Sequence, residues 1–275
     1  MSPTHWQGPL YGSDQARGGL FRGMLVDAGQ YGIERDTILG DPDLNAAGGN
    51  LHRWVWQDHF VENRFGEYWT QTNVVAGTAS ITVEAASTQL GLSHGTADQG
   101  PSVRYLGTVG GGDSICRSAS GVPGSWCFET RTRHNVNVTT NDAFVGFMTS
   151  AAAHPLQADG TLNLAGVANG VGFHWLAANA GRPLMVAWQT GAAETLLSPP
   201  ILATDVVTVF REFGVRINGA AAGGAGIEWY LGGRRIHQHR MSAAFSGRMT
   251  FGMGLISNVA GAQFHSEYVS LAFRH

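Results

Sequence analysis

Lysine is missing altogether: every one of the 17 basic residues in this 275-residue chain is an arginine. Charged side chains of both signs make up only 13% of it, about half the share usual in globular proteins. Against 20 acidic residues the net charge is −3, which leaves no cationic footprint for nucleic acid or an anionic membrane surface. Neither is expected as a partner. The arginine bias itself has two readings, a GC-rich coding sequence or forked contacts at protein interfaces.

Cysteine is nearly absent too. Cys116 and Cys127 flank a Gly/Pro/Ser-rich loop, RSASGVPGSW. A disulfide would close that hairpin-like loop, whereas a chain made in the cytosol would keep both thiols reduced. No apolar run approaches the roughly eighteen residues of a membrane span, so none is expected. The first residues lack a charged region followed by an apolar core, so no signal peptide is expected. Without that route the sequon at Asn137, Val138 and Thr139 carries no weight.

What the chain has instead is apolar residue, 43% of the total, and 39 glycines. The first excludes wholesale disorder, and the second suits many turns and few helices. Along the last seventy or so residues the pattern is strand after strand. Positions 206–217 (VVTVFREFGVRI) alternate apolar and polar, which puts Val207, Val209, Arg211, Phe213 and Val215 on one face with Arg211 as the misfit. A small-residue turn follows at 218–226, then a strand, a Gly-Gly turn and a strand over 226–238, and further strands at 247–257 and 265–273. Earlier strands are expected at 56–62, 67–72, 79–85, 88–94, 101–106, 126–132, 143–149, 171–177 and 184–190, with longer connections at 151–164 and 191–205. The spacing predicts an all-β antiparallel sandwich over residues 53–275.

Residues 1–52 read differently. They hold Gly, Asp and Pro turns and isolated apolar residues, Trp6, Leu10, Tyr11, Phe21, Leu25 and Tyr31, with neither alternation nor a helical stripe. That is the character of an extended N-terminal arm with anchors for an assembly interface, where Trp and Tyr are enriched.

The order of segments carries a resemblance. Asp58, His59 and Phe60 precede a strand with Trp69, and 88–95 runs from a strand into a turn. The strand Phe128, Glu129, Thr130, Arg131 precedes the apolar strand 143–148, and a late strand and hairpin turn on Tyr230, Leu231, Gly232 and Gly233. Residues 54–275 thus resemble concanavalin A-like lectin/glucanase jelly-roll sandwiches, in particular those in virion structural proteins of tailed bacteriophages. The resemblance implies a jelly-roll fold and three functions: a virion protein, a carbohydrate-binding module, or a glycan hydrolase.

Each has its own residue requirement. Hydrolases of this fold carry Glu-x-Asp-x-x-Glu on one strand, with a retaining pair about 5–5.5 Å apart. No such motif occurs here. Glu62 and Glu67 flank a turn, and Glu84, Glu129, Glu228 and Glu267 stand alone in sequence. Sugar stacking needs open aromatic faces, for which Trp175, Trp188 and Trp229 are the candidates, against a plain role in the inter-sheet core. The 11 histidines offer only His237 and His239 at strand spacing, short of a structural zinc set, and the Asp41–Asn45 loop is too sparse for calcium. No metal or cofactor is expected. No glycine loop precedes a lysine, and no nucleophile elbow is present. The leading expectation is a non-enzymatic capsid decoration or cement protein of a tailed phage. It would be made in the host cytoplasm, sit on the virion surface, and bind the major capsid protein, other virion proteins or its own copies. The alternatives are a glycan-binding module of a tail fibre or spike, and a hydrolase lacking the usual carboxylates.

Overall fold

The computed structural model describes residues 53–58, 60, 69–73, 80–84, 89–93, 100–105, 116–118, 124–134, 141–149, 153–179, 182–190, 193–201, 209–219, 224–243, 245, 247–257 and 263–274. The arm expected over 1–52, with Trp6, Leu10, Tyr11, Phe21, Leu25 and Tyr31, lies outside them. In chain order the strands are β1 Arg53–Asp58, β2 Trp69–Asn73, β3 Ser80–Glu84, β4 Gln89–Ser93, β5 Pro101–Tyr105 and β6 Cys116–Ser118. There follow β7 Gly124–His134, β8 Asn141–Thr149, β9 Asn169–Trp175, β10 Pro183–Gln189 and β11 Glu194–Leu197. The last five are β12 Arg211–Gly219, β13 Ala225–Leu231, β14 Arg234–Arg240, β15 Gly247–Ser257 and β16 Gln263–Arg274. Among the described residues the only helical element is the short 3-10 turn Ala177–Asn179.

The strands form two antiparallel sheets. The first runs β14-β13-β12-β7-β16-β4-β3, and β1 shares with β4 the far edge of the long β16. The second runs β11-β10-β9-β8-β15-β5-β2, with β6 beside β5 along β15. Alternation decides which side chains face inward. Phe128, Phe213, Phe264 and Leu271 of the first sheet meet Phe147, Phe173, Trp175 and Phe251 of the second, all buried. Phe128 stands edge-on to Phe147 and Phe251 at 5.2 Å, and Phe213 to Phe173 and Trp175 at 5.0 Å. Each such pair adds about 0.5–1.5 kcal/mol beyond the area it buries. Trp229 ties the sheets directly, its indole N–H donating to the Gly172 carbonyl at 2.9 Å.

A second, smaller core lies on the outer side of the second sheet. Phe144, Met148, Leu184, Val186, Trp188 and Ile256 point away from the sandwich and are covered by Leu156, Leu162 and Val167. The covering chain is the connection after β8, pinched by the Leu156–Leu162 bridge. Glycine makes room for it. A Cβ on Gly170 would lie 2.1 Å from a Trp188 ring atom, so that indole lies flat on bare backbone.

Several expected boundaries move. The strand expected at 206–217 begins at Arg211; Val209 is 52% exposed and precedes it, and Val207 lies outside the described residues. Phe213, Val215 and Ile217 share the buried face. The first strand is Arg53–Asp58 rather than 56–62, and β6 and β11 fall in segments read as loop. Cys116 pairs within the second sheet and Cys127, a buried thiol, within the first. The loop between them is therefore a crossover between sheets, not a hairpin.

Gly170→Ala should lower stability by roughly 1–3 kcal/mol, the usual cost of overpacking a closed core. Urea unfolding would show it as a lower midpoint at unchanged slope; an unchanged midpoint would mean that Trp188 is not seated on Gly170.

Candidate functional site

The outer face of the first sheet gathers its polar groups along β7. Because Phe128, Thr130 and Thr132 point inward, Cys127, Glu129, Arg131 and Arg133 point outward. Opposite Glu129 stand Gly214 on β12 and Ser270 on β16; opposite Arg131 stands Glu212; and Arg216 faces Glu228 on β13. Glu129 is only 4% exposed and accepts a hydrogen bond from the Tyr268 hydroxyl at 2.6 Å. Burial, then the charges of Glu129 and Glu212, push the Tyr268 phenol well above its ordinary range, so it stays a donor.

A bulge in β16 delivers Tyr268. Ser266 pairs with Thr132 and Val269 with Thr130, so Glu267 and Tyr268 together oppose Arg131. Both side chains then reach the outer face, where Glu267 pairs with Arg131 and Tyr268 with Glu129. The bulge turns the Tyr268 carbonyl inward, where it would be costly unsatisfied. Thr130 Oγ1 donates to it at 2.8 Å and Ser266 Oγ at 3.0 Å, which accounts for two hydroxyls in the apolar seam.

Further along this face, Glu228 accepts from Arg235 at 2.6 Å and from the Tyr230 hydroxyl at 2.9 Å. Burial and that bond push the Tyr230 phenol up to about 12. Arg133 lies 4.5 Å and Arg131 5.5 Å from the Phe210 ring centre, two cation–π contacts on one ring. Beside β14 an open depression of about 510 Å³ is lined by Gly224, Gly226, Ile227, Glu228, Gln238, His239 and Arg240. Its lining offers hydrogen-bonding groups and no tryptophan, tyrosine or phenylalanine.

The tryptophans proposed for sugar stacking are elsewhere. Trp175, Trp188 and Trp229 are 1%, 1% and 0% exposed, so none offers a ring face to a ligand. Trp175 and Trp229 belong to the inter-sheet core and Trp188 to the outer one, where it donates to the Val167 carbonyl at 2.7 Å. Among the carboxylates singled out in the sequence, Glu62 and Glu67 lie outside the described residues. Glu129, Glu228 and Glu267 are each bonded to a tyrosine or an arginine. Tyr268 and Arg235 escaped the sequence reading, and Tyr230 and Arg131 entered it only as landmarks of strand order. The alternation of β7 marks Glu129, Arg131 and Arg133, but the bulge breaks the parity that would have placed Tyr268.

Among the described residues no three His, Cys, Asp or Glu side chains gather as a metal set. His237 and His239 share the inward side of β14, His237 against Trp229 and His239 3.4 Å from Glu194. Four other histidines among the described residues are buried, and burial holds His134, His154 and His174 neutral. Burial, helped by the nearby His265, pushes His134 down to about 3. Burial pushes His154 and His174 down to about 4 against the pull of backbone carbonyls.

No protein-family profile matches the chain, and neither does any curated protein sequence. Its fold does have counterparts among solved structures. A Bacillus licheniformis β-glucanase is similar with a TM-score of 0.52 and 12% identity, over 79% of this chain and 97% of that one. A Bacteroides ovatus mixed-linkage glucan hydrolase of family 16 gives a TM-score of 0.51 and 10% identity, over 78% and 99%. Lectin I from Ulex europaeus, solved with an α-L-fucose methyl glycoside, gives 0.50 and 10%, over 80% and 98%. The fold is the concanavalin A-like jelly roll that glucanases and lectins share.

The buried histidines fix a pH dependence. Their folded pKa values lie below the usual 6.5, so between about 6.5 and 4 the unfolded chain binds more protons. Stability should fall as pH falls through that window, by several kcal/mol in total given about 1.4 kcal/mol per pKa unit. Among the described residues, only Asp142, raised by burial, opposes the trend. A urea midpoint constant from pH 7 to 4 would contradict the burial of these rings.

Proposed function

We propose that this chain is a non-enzymatic structural protein of a tailed-bacteriophage virion, a decoration or cement protein docked through residues 1–52. What supports the non-enzymatic part is Glu129. It is the lone carboxylate on the outer face of β7, it is buried, its oxygen is held by Tyr268, and arginines follow it along the strand. A retaining hydrolase needs two carboxyl groups about 5–5.5 Å apart, open to substrate. Glu212, Glu228 and Glu267 share the outer face of this sheet, but Glu129 is engaged by Tyr268, Glu228 by Arg235 and Glu267 by Arg131.

What supports the particle role is the arm. Trp6, Leu10, Tyr11, Phe21, Leu25 and Tyr31 are too many apolar anchors to leave in water and too irregular for an amphipathic helix. Burying one contributes about 1.5–3 kcal/mol, while ordering the backbone costs roughly 1–2 kcal/mol per residue. A lattice of neighbours closes that gap, because each further contact forms at high effective concentration. The partners are then the major capsid protein, other virion proteins and further copies of the chain, at the virion surface after synthesis in the host cytoplasm.

A second reading is glycan binding. It draws on the lectin counterpart and on the depression beside β14, where Glu228, Gln238, His239 and Arg240 offer hydrogen-bond partners for hydroxyls. Such a site would work by hydrogen bonding alone.

The full chain carrying Trp6→Ala, Tyr11→Ala and Phe21→Ala should unfold at the native temperature and bind purified particles about 1000-fold more weakly or worse, at 1.5–3 kcal/mol per anchor. Undiminished decoration by this variant would place the anchor on the sandwich. Saturable binding of a soluble oligosaccharide, lost on Gln238→Ala, would favour the glycan reading instead.

A further inference from the structure

The first sheet ends at β14, which pairs with β13 and, among the described residues, with no strand beyond it. An open strand edge presents a row of backbone donors and acceptors ready to pair. Five of its seven residues are exposed, Ile236 among them. The strand carries Arg234, Arg235 and Arg240 and no acid. With Glu228 of β13 set against Arg235, the hairpin is still positive. Its register also shifts between Trp229 and Tyr230. Arginines and a bulge are how an edge refuses a second copy of itself. They do not refuse an acidic strand, because opposite charges on neighbouring strands favour pairing.

The chain's own sequence supplies such a segment. Residues 1–52 hold Arg17, Arg22 and Arg35 against Asp14, Asp27, Glu34, Asp36, Asp41 and Asp43, a net charge of −3. Residues 53–275 hold 14 arginines and 14 acidic residues, so the chain's whole net charge lies ahead of β1. Four of those six acids fall within 34–43, where the stretch 33–40 reads IERDTILG. Ile33, Thr37 and Ile38 suit a strand, and alternation would set Glu34, Asp36 and Ile38 on one face.

The register fixes how far that stretch must travel. Arg53 pairs with Arg274, Arg274 with Ser125, Ser125 with Asn218, Asn218 with Gly226 and Gly226 with Arg240, one row across the sheet. A strand beyond β14 therefore lies six spacings from Arg53, about 29 Å. Residues 41–52 span about 40 Å when extended, so 34–40 can reach that edge from its own chain. The chain enters β1 at the Arg240 end of the sheet. Reach thus favours a strand that finishes at that end, parallel to β14. An antiparallel one would finish near Arg234 and leave the connection nearly taut.

We propose that the β14 edge is a docking surface for residues 34–40 of the same chain, which add to it as a parallel strand with Glu34 and Asp36 among its arginines. The tether favours this segment over that of a second copy, because it holds the acids near the edge at high effective concentration. Trp6, Leu10, Tyr11, Phe21, Leu25 and Tyr31 all precede the docked stretch, so they extend from the β14 edge. The contact does not depend on the virion role.

Hydrogen exchange of the full chain reads this edge directly. The β14 amides that face away from β13 should exchange at least about 10-fold more slowly in the native chain than in the double variant Glu34→Arg, Asp36→Arg. Adding Arg234→Glu and Arg240→Glu to that variant should restore the protection, which a general change in stability would not do. Ile38→Pro removes a backbone donor from the segment, leaves the sandwich untouched and should also abolish the protection. Protection that persists on dilution supports a strand from the same chain. Protection lost on dilution would assign the edge to a second copy and overturn the proposal. Equal exchange in the native chain, the double variant and Ile38→Pro would overturn it too, as would failure of the charge swap to restore protection.

Discussion

Aromatic rings packed edge to face between the two sheets are the contact on which everything else in this molecule rests. Phe128 and Phe213 of the first sheet reach into Phe147, Phe251, Phe173 and Trp175 of the second, and Trp229 adds a hydrogen bond across the gap. A chain with so few charges has little else to hold it. Surface ion pairs contribute only about 0–1 kcal/mol each, and those described here are partly exposed. Strand alternation ties the outer faces to this seam: once Phe128 points in, Glu129 must point out.

The two outer faces have been closed in different ways. On the first sheet the β16 bulge brings Tyr268 over Glu129 and pairs Glu267 with Arg131. On the second, the chain between β8 and β9 lies down over Trp188 and Ile256, with glycines at the points of closest approach. Glucanases and lectins of this fold share the sandwich, and what a member does lies in the groups placed upon it. Here, on the outer face of the first sheet, Glu129, Glu228 and Glu267 bond to tyrosine or arginine.

How much of this the sequence reveals depends on whether the signal is local. Period-two alternation located the long strands well, and 247–257 coincides with β15. It failed where strands are short or interrupted. The three residues of β6 sit among glycines and serines, β11 alternates only weakly, and exposed Val209 extended the apparent strand before Arg211. For the tryptophans the core was the favoured reading, and ligand stacking stayed open beside it because alternation reports which faces residues share and not which face is covered. For Trp188 the covering element was a segment read as a plain connection. Glu129 was noticed, but its partner is 139 positions away and arrives through a bulge.

The claim most open to direct attack is that Glu129 is a structural carboxylate rather than a catalytic one. Reducing-end release from mixed-linkage β-glucan and other polysaccharides by the full chain tests it most simply. The account predicts no release above background from either the native chain or Glu129→Gln. Turnover by the native chain that vanishes in Glu129→Gln, with the variant still folded, would contradict it.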